Sequence, residues 1–143
     1  MKRNRDDRDA DALMLIIRYC DNTENARTRF GDTFDAFSKD NDYQSSCTMY
    51  VYQICEICNR ISGELKAKYP NVPWQKIRGM RNIFAHEYEN VQTGRLWEAM
   101  TNYLPGLRED CLSMLQSIGL EYMSEPEDDA LVIDGEDDWE PEL

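Results

Sequence analysis

Seven apolar residues, Leu96, Met100, Leu104, Leu107, Cys111, Leu115 and Ile118, recur at intervals of three or four, and this pattern limits the possible folds more than anything else in the chain. Such spacing keeps one face of an α-helix apolar over about six turns, where a strand would alternate at every second residue. Leu13, Ile16, Ile17 and Cys20 repeat the pattern early, and Cys47, Val51, Ile54, Cys58, Ile61 and Leu65 repeat it in the middle. Three long helices, each with a face to hide and joined by short connections, predict an all-α antiparallel bundle. Only 7 Gly and 5 Pro in 143 residues agree with it and disfavour a loop-rich β fold.

The stripes predict a first helix over about Arg8 to Arg29 and a second over Asp42 to Lys68, ended by Pro70. Thr48 to Cys55 is rich in β-formers, but the helical period outlasts any ordinary strand. Phe30, Phe34 and Phe37 read as core, with a break at Gly31 and a turn over Lys39 to Asp42. A third helix opens at Asn71-Val72-Pro73-Trp74, with Asn71 as cap and the proline in the first turn, and from Trp74 sets Ile77, Arg81, Phe84 and Tyr88 on one face. Thr93 or Gly94 opens the last region, which Pro105 kinks or splits.

Charge divides the chain into two parts. Residues 121–143 hold eleven acids and no Lys or Arg, so the formal charge of −12 leaves residues 1–120 at −1. We therefore expect a helical domain over 1–120 and an acidic C-terminal tail over 121–143, the latter with one apolar island, Ala130-Leu131-Val132-Ile133. Within the body, residues 60–81 carry Arg60, Lys66, Lys68, Lys76, Arg78 and Arg81 against the single acid Glu64, a surface that suits phosphate. Solvated helix faces account equally well for those bases apart from Arg81. The tail is a solubilising segment, a polyanion that competes for the basic surface, or a docking peptide.

No apolar run approaches the roughly 20 residues that span a membrane, and the N-terminus lacks the apolar stretch of a secretory signal. Five cysteines cannot all pair with one another, which fits a reducing cytoplasm. Cys55-x-x-Cys58 is half of a zinc site without a second half, so we expect core cysteines and no metal or cofactor.

The sequence contains one histidine, in Trp74-Gln75-Lys76-Ile77-Arg78-Gly79-Met80-Arg81-Asn82-Ile83-Phe84-Ala85-His86-Glu87-Tyr88. Arg81-x-x-x-x-His86-x-Tyr88, with Asn82 after the arginine and Pro73-Trp74 upstream, resembles the signature of HepT-like ribonucleases of the HEPN superfamily. Ile61-Ser62-Gly63-Glu64 and Leu104-Pro105-Gly106-Leu107 extend the likeness, which covers about residues 8–118. The resemblance implies a dimeric HEPN bundle that cleaves RNA without metal. It also implies a toxin, paired with an MNT-type nucleotidyltransferase antitoxin that transfers AMP to Tyr88.

The chemistry of the residues is compatible with that implication. Metal-free RNA cleavage needs a base for the 2′-hydroxyl, an acid for the leaving oxygen and cationic donors for the phosphorane. Imidazole titrates near neutrality and serves in either role, but one chain supplies only one. A two-fold dimer supplies two His86 and two Arg81, the arginines offering planar forks to phosphate oxygens. Asn82 caps the helix, orients His86 or touches phosphate, a structural role fitting it as well as a catalytic one, and Lys76 and Arg78 are candidates for neighbouring phosphates. On a regular helix Arg81 and His86 stand about 140° apart, so the helix must bend or a second chain must complete the site. Two readings from other classes remain: a non-catalytic HEPN bundle that binds or regulates a nucleotidyltransferase, and an adaptor whose acidic tail recruits a basic partner.

Overall fold

The computed structural model describes residues 5–84 and 89–119, and among these all regular structure is helical. Helix α1 spans Arg5–Phe30, α2 Phe34–Ser38, α3 Asn41–Cys58, α4 Gly63–Lys68 and α5 Trp74–Gly79. A 3-10 turn follows over Met80–Phe84, then α6 over Glu89–Glu98, a π-helical turn over Ala99–Tyr103, and α7 over Leu104–Ile118. His86, Tyr88 and the acidic tail with its island lie outside the described residues.

The three stripes meet as one core. Leu13, Ile16 and Ile17 of α1, Cys47, Val51 and Ile54 of α3, and Cys111, Met114 and Leu115 of α7 are buried together. Contacts between the helices give their directions. Phe30, at the end of α1, stacks near Tyr43 at the start of α3, while Asp9, early in α1, reaches Ser62 beyond the end of α3. Asp21 of α1 accepts a 2.6 Å hydrogen bond from Arg108 Nε in α7. The predicted all-α antiparallel bundle is therefore the architecture.

Several local expectations are corrected. The stretch read as one helix over Asp42 to Lys68 breaks at residues 59–62, although Cys58, Ile61 and Leu65 stay buried and the apolar period runs through unbroken. Ser62 caps α4 by accepting from Leu65 N–H at 3.1 Å. Its own N–H and hydroxyl donate to the buried carboxylate of Asp9 at 2.9 and 2.6 Å. A partner 53 residues away thus stabilises a break that local sequence does not announce. Of the three phenylalanines read as core, only Phe37 is buried; Phe30 and Phe34 are 38% and 44% exposed, at the rim of a cluster with Tyr43 and Trp97.

Pro73, not Asn71, occupies the cap position of α5, and it makes no side-chain capping bond. The α6 helix opens at Glu89 and takes Gly94 into its interior, a loss of propensity too small to end it. Pro105 does not kink a helix from within: it sits in the first turn of α7, where a missing N–H is tolerated. The preceding π turn absorbs the mismatch, with Leu104 N–H donating back to Ala99 O.

Candidate nucleic-acid cleavage site

Between α5 and the 3-10 turn the helix tightens from 3.6 to about three residues per turn, and side chains three apart eclipse one another. Ile77, Met80 and Ile83 therefore form the buried row, at 3–5% exposure. Arg81 and Phe84 do not share the face of Ile77, as a regular helix would have required; they form a second row turned towards α3. Asn82 occupies the third row.

In the second row, Arg81 Nη2 lies 3.0 Å from Glu56 Oε2, with the two side chains 46% and 31% exposed. Glu56 Oε2 is shielded and takes no aligned hydrogen bond, so the contact is a charge pairing. Phe84 meets Tyr52 edge to face at 5.5 Å between centroids. Met49 and Tyr52 precede Glu56 along α3 and remain exposed, Met49 at 54%.

In the third row, Asn82 lines a cleft of about 350 Å³ between the 3-10 turn and the α6–π segment, together with Lys76, Arg95, Glu98 and Tyr103. Lys76 Nζ sits 4.8 Å from the centroid of the Tyr103 ring and donates to its hydroxyl at 3.4 Å. Arg78 is exposed in the last turn of α5. Arg81 and Asn82 are thus sequence neighbours on different edges of one ridge, with Lys76 beside Asn82.

Sequence reasoning singled out Arg81, Asn82, Lys76 and Arg78 but missed Glu56, Arg95 and Tyr103. Glu56 had one available signal, its position one turn after Tyr52 on the exposed side of the α3 stripe. Among the described residues no group of three or more His, Cys, Asp or Glu is placed to hold a metal ion. Cys55 and Cys58 are buried in the core, and desolvation pushes both thiols up to about 12.

Fold and ridge together define a small all-α bundle carrying an arginine–asparagine pair beside a cationic cleft. Residues 16–114 match the HepT-like ribonuclease family, and the chain belongs to it. A Caldanaerobacter subterraneus subsp. tengcongensis protein bearing the name "Putative RNase" is 30% identical over 86 residues, 60% of this chain and 77% of its own length. A Methanocaldococcus jannaschii protein with the same designation is 29% identical over 83 residues, covering 52% and 76%. The "Probable ribonuclease HepT" of Thermococcus cleftensis is 27% identical over 75 residues, covering 52% and 68%. No solved structure matches the chain.

Proposed function

We propose that this protein is a metal-independent endoribonuclease toxin, cutting RNA at a site shared by two copies of the chain. AMP transfer to Tyr88 by an MNT-type nucleotidyltransferase antitoxin silences it. The observation that carries this reading is the exposed Arg81–Asn82 ridge within the segment that matches a ribonuclease family. Exposed Met49 and Tyr52 beside Arg81 favour a two-fold partner, because apolar side chains flanking a cationic site are what a second copy would cover.

In that dimer one His86 takes the proton of the 2′-hydroxyl as its oxygen bonds to phosphorus. The other His86 gives a proton to the 5′-oxygen as its bond to phosphorus breaks, leaving a 2′,3′-cyclic phosphate. Arg81 clamps the phosphorane, Asn82 assists by hydrogen bonding, and Lys76 and Arg78 hold neighbouring phosphates. AMP on Tyr88 adds bulk and negative charge where RNA must enter. The reaction belongs in the cytoplasm, where RNA and nucleotides are present.

The test is incubation of purified, unmodified protein with RNA in EDTA, with His86→Ala alongside. Cleavage by the wild type and none by the variant supports the proposal. Wild-type protein that leaves RNA intact gives way to the non-catalytic reading, a bundle that binds a nucleotidyltransferase.

A further inference from the structure

Three features around α4 and α5 share one complementarity. A cavity of about 180 Å³ between α5 and α7 is walled by Pro73, Ile77, Met80, Leu104 and Leu107, with Lys76 at its rim and Asp110 at its edge. Lys66 Nζ lies 5.5 Å from the Trp74 ring and ties α4 to α5, so Lys68, Lys66, Lys76 and Arg78 follow one another over adjoining elements. The acid among them, Glu64, is paired with Arg5. The end of α7 lies at the α4 side of this surface, a helix length from that cavity: Ser117 and Ile118 line a second, small cavity with Leu65, Lys68 and Arg5 and the acids Asp6, Asp9 and Glu64.

The sequence beyond that point has the matching chemistry. Residues 121–143 carry eleven acids, and the aliphatic stretch Leu131-Val132-Ile133 is bracketed by Asp128, Asp129 and Asp134. Acid flanks around an aliphatic stretch complement an apolar cavity with a lysine at its rim. From residue 119 to residue 131 the chain can reach up to about 40 Å, ample to pass from α4 to a cavity beside α5. Tethering also gives the segment a millimolar-range effective concentration, which a free partner would have to supply by abundance.

We propose that residues 121–143 fold back over the α4–α5 surface, seating the aliphatic stretch in the cavity and laying carboxylates on the four bases. There they compete with RNA for the approach to the Asn82 cleft. The competition rests on RNA being the substrate; the intramolecular docking does not.

The experiment uses the full chain in a His86→Ala background, so that RNA binds without being cut. It compares this protein with a variant carrying E125Q, E127Q, D128N, D129N, D134N, E136Q, D137N and D138N, and with one carrying L131S and I133S. Amide exchange over residues 63–80 reads docking, and the affinity for a short single-stranded RNA reads competition. Both variants should lose protection over 63–80. The charge variant should bind RNA about tenfold more tightly at about 20 mM salt and no more than about twofold more tightly at about 300 mM.

Unchanged exchange in both variants overturns the docking, whatever the RNA result. Faster exchange with equal RNA affinity overturns the competition. Faster exchange in a protein that binds no RNA in any form leaves the fold-back standing and removes the ribonuclease reading instead.

Discussion

Arg81 is braced by Glu56, a residue of a different helix, with Nη2 and Oε2 3.0 Å apart at the surface. The 3-10 turn that carries Arg81 is too short to hold a long side chain by itself, so α3 supplies the contact.

Glu56 and Arg81 should couple weakly in stability, and Arg81 should matter far more to function than to folding. Half-exposed ion pairs contribute only about 0.2–1 kcal/mol, and a double-mutant cycle of Glu56→Gln and Arg81→Ala in urea should fall in that range. Arg81→Lys, which keeps the charge but loses the planar fork, should cut RNA cleavage by about tenfold or more while leaving the melting temperature nearly unchanged. Wild-type turnover by the lysine variant would remove the arginine from the chemistry.

The exposed strip beside this pair gives the second prediction. Met49→Glu and Tyr52→Arg place charge where a two-fold copy should sit, and sedimentation should show the shift from dimer to monomer. Cleavage should disappear with the dimer and return in part when monomers are forced together at high concentration. A monomeric variant that remains fully active would refute the shared site.

The Asp9–Ser62 link should matter more to stability than any surface pair. Asp9 is only 3% exposed and accepts both a backbone N–H and a hydroxyl. Removing it leaves two half-buried Ser62 donors without this acceptor, at about 1–2 kcal/mol each. Asp9→Ala should therefore destabilise by about 2–4 kcal/mol in urea unfolding, and Ser62→Ala, which loses both the cap and the hydroxyl bond to the carboxylate, by about 2–3 kcal/mol. Wild-type stability in Asp9→Ala would mean that the cap, not the carboxylate, sets the break between α3 and α4.

Alkali supplies a fourth test. Burial raises Cys47, Cys55 and Cys58 from 9.0 to about 12, and the Tyr43 phenol from 10.0 to about 12. Each group holds its proton more tightly when folded, so its contribution is whole below the unfolded value and is lost as pH climbs towards the folded one. Stability should be flat through neutrality and fall between about pH 9 and 12, each thiol adding about 1.4 kcal/mol per pH unit to the slope. At pH 8 a thiol reagent should modify all five cysteines promptly in denaturant and only slowly in native protein.

The sequence made the bundle legible because its three stripes are local and long: Leu13 to Cys20, Cys47 to Leu65 and Leu96 to Leu115 each bury what their period requires, with Ile118 half-buried at the end. What escaped it was set at a distance or by a change of helical pitch. The break at residues 59–62 is invisible in a stripe that continues through it, because the carboxylate that stabilises it comes from α1. The facing of Arg81 was misread because a turn of three residues, not 3.6, carries it away from Ile77 and towards Glu56. Arg81, Asn82, Lys76 and Arg78 stand out in the sequence as residue types in one motif. Glu56 and Tyr103 gain their meaning only from neighbours more than twenty residues away.

The small cavity shared by Arg5, Asp6, Asp9, Ser117 and Ile118 brings the beginning of α1 and the end of α7 to one corner of the bundle. With residues 1–4 and 119–143 left out, a brief flexible linker could therefore join residue 118 to residue 5 and the chain be opened at the exposed bend near Asp32, giving a circular permutant with its helices in their original places. The assembly of such a molecule would show that packing, more than the order of synthesis, determines this architecture.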